Sequence, residues 1–391
     1  MPEAYLVAAA RTAGGKRGGA LRNWHPVDLG AAALDEIIAR SSVDPAAIDD
    51  VIIGCVGQVG EQAFHVGRNI VLASSLPQTV PAVTIDRQCG SSQQALHFAA
   101  QAVMSGTQDL VIAGGVESMT RVPMGLPMQG AAAAGANADP WPPSIKEKFG
   151  VFGFSQFAGA EMMARKYGFT KEAMDTFALE SHRRAAAARD SGAFGDEILI
   201  LDGLDGDGQS LRHDRDEGIR ADATLESIAS VRLLTEGGLL TAATSSQICD
   251  GASAILVASE RAVKEHGLTP MARIHHLTVT GGDPVIMLDE PINATRRALD
   301  RSGMTLDAID LYEVNEAFAP VPMAWLQQMN GDPSRLNVRG GAIALGHPLG
   351  ATGTKLMTTL VHALRAEGKR YGLQTMCEGG GIANVTIVEA L

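Results

Sequence analysis

The sequence predicts a duplicated α/β fold, two similar α/β halves with a loop-rich segment inserted between them. Three observations point there. The chain has 44 glycines in 391 residues and only 4% aromatics, a composition suited to many tight strand–helix turns where elements approach closely. Strand-like runs alternate with amphipathic helical runs in both end regions, the pattern of mostly parallel sheets covered by helices. The two ends also repeat. Arg40-Ser41-Ser42 leads through Ala47-Ile48-Asp49 to Val51-Ile52-Ile53-Gly54, and Arg301-Ser302-Gly303 leads through Ala308-Ile309-Asp310 to Leu311-Tyr312-Glu313-Val314-Asn315, at the same spacing without a gap.

Taken in order, Ala4 to Ala10 reads as a first strand, too short to span a bilayer. Val51 to Gly54 is the next. The run from Val80 to Ile85 is a strand feeding a helix from Gln93 to Ser105, with Cys89 at the join, then Gly106 and a strand from Asp109 to Ala113. The stretch from about Thr120 to Ser246 breaks the pattern. Met119 to Pro143, rich in Met, Pro, Gly and Ala, reads as an irregular ordered loop. Phe157 to Tyr167 and Lys171 to Ser191 read as helices, the second with Thr170 as N-cap and Gly192 near its end. Asp202 to Glu217 reads as an exposed Gly/Asp-rich turn region. In the second half His347 precedes a helix from Gly353 to Ala366, then Gly368, a strand from Tyr371 to Met376, and Gly379-Gly380. The expected division is residues 1–118 plus 247–268 for the first half, 119–246 for the insertion and 269–391 for the second half. If the halves pack about a pseudo-twofold axis, Cys89 and His347 face each other from equivalent positions. Ligands bind beyond strand ends in open α/β sheets, and an insertion of this size there commonly builds a binding site.

With 46% hydrophobic and 19% charged residues the chain is not of the disordered class. Its net charge of −12 argues against nucleic-acid binding through a broad basic face. The four cysteines, Cys55, Cys89, Cys249 and Cys377, are far apart without a CxxC, so neither a zinc site nor another bound metal is expected. Neither a secretion signal, a mitochondrial presequence nor a peroxisomal address is expected, which makes the cytoplasm the expected compartment and the cysteines free thiols.

Two cysteines carry the chemistry. Cys89, in Asp86-Arg87-Gln88-Cys89-Gly90-Ser91-Ser92, sits where a helix dipole and free amides would push a thiol toward thiolate. Cys377, in Thr375-Met376-Cys377-Glu378-Gly379-Gly380-Gly381, lies beside a glycine turn that leaves backbone N–H donors bare. Together they suggest covalent acyl transfer through a thioester. Each feature has a plain structural alternative: a packed cysteine, a hydrogen-bonded histidine in a turn, an Asn-Glu helix cap, a tight glycine turn.

Four stretches, Cys89, Asn315-Glu316-Ala317-Phe318, Gly346-His347-Pro348-Leu349-Gly350 and Cys377-Glu378-Gly379-Gly380, occur in the order and spacing in which the chain resembles the thiolase family, over essentially its whole length. That resemblance implies two duplicated α/β halves forming a five-layered α/β/α/β/α core plus an inserted loop domain. It implies thiolytic cleavage of 3-ketoacyl-CoA, or the reverse Claisen condensation, with no permanently bound cofactor and coenzyme A as co-substrate. It implies Cys89 as nucleophile, His347 as its base, Cys377 as the acid for the leaving enolate, the amides of Gly379 and Cys89 as oxyanion donors, and Asn315 with His347 holding the thioester oxygen, the Asn through a water. Arg220 and Ser227 fall where thiolases hold the nucleotide end of CoA, Ser246 where a serine touches the pantetheine, and Ala317 and Phe318 lie in the same set of CoA contacts; for Arg220 an exposed surface role and for Ser246 a plain turn are the alternatives. Cys55 and Cys249 lack such surroundings and read as small buried side chains.

Short-chain biosynthetic thiolases usually carry His-Met-Gly where this chain has Ser155-Gln156-Phe157. The chain therefore looks closer to degradative thiolases, including the actinobacterial type that trims steroid side chains, with acetyl-CoA or propionyl-CoA as the released product. The small residues from Gly130 to Ala136 would leave room for a bulky acyl group. The alternatives are an acetoacetyl-CoA thiolase, a ketosynthase (against which Cys377 argues) and a thiolase-like lipid carrier (against which Cys89 argues). The family resemblance also implies a homodimer or homotetramer, with no nucleic-acid or membrane partner.

Overall fold

The repeated Arg-Ser to Ile-Asp stretch folds into the same unit twice. In this computed structural model, which describes residues 2–391, helix α1 (Pro26–Ser41) ends on Ser42 at φ 55°, passes through a 3-10 turn at Pro45–Ala47 and enters a strand at Asp50. In the second half the helix Glu290–Ser302 ends on Gly303 at φ 70°, passes through Leu306–Ala308 and enters a strand at Leu311. A left-handed residue ends both helices because it turns the chain back while capping the last carbonyls.

The frame is one mixed sheet. Its continuous path uses β1 (Ala4–Thr12), β2 (Asp50–Gly54), β3 (Ala82–Ile85), β4 (Leu110–Ser118), β5 (Cys249–Ser259), β6 (Ala272–Gly281), β7 (Leu311–Val314), β8 (Tyr371–Glu378) and β9 (Ile382–Ala390), in the spatial order β7-β8-β9-β6-β1-β5-β4-β2-β3. The halves mirror each other about the β1–β6 contact, which is antiparallel and pairs Tyr5 with Arg273 and Leu6 with Ala272. Along this path only β2–β3, β2–β4 and β7–β8 are parallel; β4–β5, β5–β1, β8–β9 and β9–β6 are antiparallel, and off the path the short strand Ile198–Leu199 pairs parallel with β1. The expectation of mostly parallel sheets is therefore corrected. Gly379–Gly381 joins β8 to β9 directly, and so short a connection can only make an antiparallel pair.

Helices make the other layers. The helices α2 (Ser91–Ser105) and α6 (Thr352–Ala366) pack on each other between the half-sheets, α2 touching β4, β2 and β9, α6 touching β8, β7 and β5. Helix α1 covers the outer face of the first half and α5 (Glu290–Ser302) that of the second. The result is the expected five-layered α/β/α/β/α arrangement. Between α2 and α6 on one side and the sheets on the other lies an apolar cluster built from both halves, including Leu96, Val103, Met357, Leu360 and Val388.

The insertion supplies α3 (Gln156–Lys166) and α4 (Lys171–Asp190), the latter capped by the Thr170 hydroxyl, which accepts from Ala173 N. Two expectations fail here. The segment after Met119 contains a helical stretch, Leu126–Ala133, with Pro127 in its first turn. The Asp202 to Glu217 region is not simply exposed turn; Leu201–Leu204 and Ser210–His213 pair as a hairpin, and Asp216 beyond it is buried. Asp205 caps that hairpin's turn through Asp207 N and Gln209 N, which is why a Gly/Asp-rich run makes a hairpin and not a loose loop.

Candidate active site

Cys89 stands on a strained turn between β3 and α2. Gln88 before it adopts φ 48° and Gly90 after it caps the helix; a non-glycine residue in that region costs of order 1–3 kcal/mol, held by what surrounds it. Here Gln88 N donates to Asp86 Oδ1 (2.6 Å), and Ser91 Oγ donates to Gln88 O (2.6 Å). The residue keeps an accessible edge, yet the enclosing protein pushes its thiol up to about 12, burial first and the Glu378 carboxyl next. This corrects the expectation of a helix-stabilised thiolate. The resting group is a neutral thiol that needs a base, because desolvation outweighs the helix dipole.

His347 supplies an imidazole in the matching state. Thr352 Oγ1 donates to Pro348 O (2.8 Å), so it accepts from His347 Nδ1 (2.6 Å); the proton is thereby assigned to Nδ1 and the lone pair to Nε2. Asn315 Nδ2 stands 3.5 Å from that Nε2. Burial, with the Lys355 ammonium adding to it, drives the imidazole down to about 3, so it is neutral and can accept a proton. Behind it, Lys355 Nζ donates to Leu345 O (2.5 Å) and Gly346 O (3.2 Å), and His347 N donates to Gln247 O (3.0 Å).

The remaining predicted residues converge on the same strand ends. Thr354 N on α6 donates to Ser92 Oγ on α2 (3.0 Å), tying the His347 turn to the Cys89 turn. Asn315 N donates to Thr375 O (3.0 Å), which sets Asn315 beside Cys377 at the ends of the parallel pair β7–β8. Cys377 is fully buried, and its thiol is raised by that burial and next by Cys89, so the two sulfurs share one environment. Gly379 lies against Gln88; a Cβ on it would be 2.9 Å from Gln88 Cγ.

A cavity of about 650 Å³ reaches this site at His347; Cys89, Asn315, Cys377 and Gly379 are not among the residues that line it. His347, Leu349, Ser246, Phe318 and Arg220 line it, together with Gln156, Phe157, Met119 and Met124 from the insertion. Phe157 meets Phe318 edge to face at 5.6 Å. Ser246 N donates to Ala317 O (2.9 Å), which joins those two predicted contacts. Arg220 and Ser227 also line an adjoining cleft of about 260 Å³. Gly130 to Ala136 line neither and are largely exposed; the wall lies at Gln156 and Phe157, the positions of the sequence departure. Cys55 and Cys249 are buried as expected, Cys249 against the Gly346 turn.

Several partners escaped sequence reasoning. Glu316 holds Ser181 Oγ, Asn337 Nδ2 and Ile343 N. Glu117 holds the amides of Val56, Gly57 and Gly350. Thr352 and Lys355 sit five and eight residues after His347, a helical spacing that signals one face of α6 but not what that face touches.

Comparison with known proteins gives a consistent picture. Residues 4–261 match the family described as thiolase, N-terminal domain, and residues 268–390 match thiolase, C-terminal domain. The steroid 3-ketoacyl-CoA thiolase FadA6 of Mycobacterium tuberculosis is 53% identical, with 100% of this chain and 95% of that protein covered. The 3-ketoacyl-CoA thiolase of Enterobacter sp. (strain 638) is 40% identical, both chains covered in full. Among solved structures, human mitochondrial 3-ketoacyl-CoA thiolase superposes with a TM-score of 0.88 and the Bacillus anthracis acetyl-CoA acetyltransferase with 0.91, each at 34% identity and covering 100% of this chain and 99% of theirs.

Proposed function

The chain belongs to the thiolase family, and from that premise we propose the following reading of its site. The protein is an acyltransferase, a 3-ketoacyl-CoA thiolase working in the degradative direction. His347 Nε2 takes the Cys89 proton as the sulfur attacks the 3-keto carbon. The amides of Cys89 and Gly379 hold the tetrahedral oxyanion. The C2–C3 bond then breaks, and the Cys377 thiol delivers its proton to the acetyl-CoA enolate, or to the propionyl-CoA enolate of a branched substrate. Asn315 and protonated His347 hold that thioester oxygen while charge develops. The acyl group remains on Cys89 until a second CoA thiol gives its proton to Cys377 and attacks the thioester; the carbon–Sγ bond breaks and the departing Cys89 sulfur recovers its proton from His347. Coenzyme A is co-substrate, contacted by Arg220, Ser227, Ser246, Ala317 and Phe318, and no permanent cofactor takes part.

The observation that carries this reading is the His347 tautomer, with its free Nε2 facing Asn315 at 3.5 Å, alongside a buried Cys377 thiol that burial and then Cys89 raise. We take residues 119–246 as the loop domain, 1–118 plus 247–268 and 269–391 as the thiolase halves, the assembly as a homodimer or homotetramer, and the location as cytoplasmic; no helix among the described residues is long and apolar enough to cross a membrane. The likeness to an acetyl-CoA acetyltransferase structure keeps acetoacetyl-CoA as a second substrate to test. Intact-mass and peptide mass spectrometry after adding an acyl-CoA should find the acyl group on Cys89 and on nothing in Cys89→Ala. Cys377→Ala should still acylate but lose enolate proton exchange. Ring-bearing or long 3-ketoacyl-CoA should turn over faster than acetoacetyl-CoA; the reverse order overturns the degradative assignment.

A further inference from the structure

Along β8 the side chains alternate. Cys377 packs with Phe318 and Ala383, and Glu378, on the opposite face of the strand, lies against Gly90 at the N-terminus of α2. There it is fully buried, and neither carboxyl oxygen meets a hydrogen-bond partner among the described residues. Asn384, on the same face of the neighbouring strand, donates from Nδ2 to Gln94 Oε1 (3.2 Å) and leaves its Oδ1 equally without a partner. Both groups close on Gly90. A Cβ on that glycine would lie 2.5 Å from Glu378 Cδ, with Glu378 Oε1 and Asn384 Oδ1 nearer still. Two bare acceptors so placed repel in a dry interior, where a polar group left without a partner is destabilising. A single proton between them removes the conflict.

We infer that Glu378 carries a proton at working pH and donates it in a hydrogen bond to Asn384 Oδ1, which makes it a positioning residue for the Gly90 turn that carries Cys89. Its role toward Cys89 rests on the reading of Cys89 as nucleophile; its protonation does not. The titratable groups within its electrostatic reach are Arg87 and Cys89 from the turn and Cys377 from its own strand; β9 presents Asn384. Burial raises the Glu378 carboxyl well above the usual range, against the opposing pull of Arg87, which forms no ion pair with it, and of the nearby backbone N–H of Asn384. A neutral Glu378 also matters to the nucleophile, because a charge there would be, after burial, the next influence raising the Cys89 thiol. As pH rises through the raised carboxyl value, the proton leaves, the bond to Asn384 is lost and a negative charge appears beside Cys89.

Infrared spectroscopy and acylation kinetics test this on the full chain. At neutral pH the wild type should show the carbonyl stretch of a protonated carboxyl that is missing in Glu378→Gln, and Asn384→Ala should move that band to higher frequency by removing its acceptor. Glu378→Ala should slow Cys89 acylation about tenfold, while Glu378→Gln, which keeps a neutral N–H donor, should restore most of the rate and abolish the alkaline fall seen in the wild type. Identical carboxyl spectra for wild type and Glu378→Gln, an unmoved band in Asn384→Ala, or Glu378→Gln as slow as Glu378→Ala each overturn the inference. If Glu378→Gln does not fold, the Asn384→Ala band decides. Acylation found away from Cys89 would sink the reading of the nucleophile and leave the infrared result standing by itself.

Discussion

His347 and Thr352 show how one hydroxyl decides the state of a base. Thr352 fixes the proton on Nδ1, so Nε2 is ready to accept. Thr352→Val removes that lock; kcat should fall on the order of tenfold with KM little changed, against the 10²–10⁴ that a general base contributes. The depressed imidazole has a second consequence. Its folded value of about 3 lies below the unfolded value of about 6.5. The unfolded chain therefore binds the proton more tightly. This group costs no stability above pH 6.5 and destabilises progressively as pH falls from there toward 3. By the same shift kcat/KM should show no acid limb near 6.5, and a limb at that pH would mean that the base is solvated or is another group. At this scale the sequence was half legible. Cys89, His347, Cys377 and Asn315 stood out by motif, but the helix-start argument for a thiolate failed, because a local dipole is visible in sequence and the desolvation that outweighs it is not.

At the level of elements, the crossing of α2 and α6 holds the turns that carry Cys89 and His347 together. Gly353 is required there. A Cβ would lie 2.7 Å from Gln93 Cα, backbone against backbone. Gly353→Ala should destabilise by about 1–3 kcal/mol, read as a lower denaturant midpoint. It should also slow acylation by parting the Ser92–Thr354 contact. The duplicated helix–turn–strand unit was legible because left-handed caps and short 3-10 turns have local signatures, Ser42 and Gly303 among them. Strand direction was not, since it depends on which neighbour a strand finds after the chain leaves and returns. β5 shows this. It follows an insertion of more than a hundred residues and slots antiparallel between β1 and β4.

Across the whole molecule, one buried charge network joins both halves and the insertion. Arg11 on β1 bonds Glu197 Oε1 (2.6 Å) and Asp216 Oδ1 (2.8 Å); Asp216 faces Lys355 on α6 at 3.9 Å, and Glu197 faces Arg339 at 3.4 Å. Burial alone would raise the Asp216 carboxyl, but Arg11 and Lys355 outweigh it and hold it low. Asp216→Asn leaves Lys355 without a carboxylate and Arg11 with Glu197 alone, and should cost about 3–5 kcal/mol, seen as a lower Tm. Because Lys355 also grips the carbonyls before His347, the loss should reach the base. By itself the sequence determined the duplicated α/β plan, which is written in periodicity and caps, and through its short motifs the family resemblance that proposes Cys89, His347, Cys377 and Asn315 for the chemistry. The tertiary structure alone decided the antiparallel joins, the wall at Gln156 and Phe157, and the protonation of Cys89, His347 and Glu378. Those depend on desolvation and on partners hundreds of residues away, and no local window of sequence contains either.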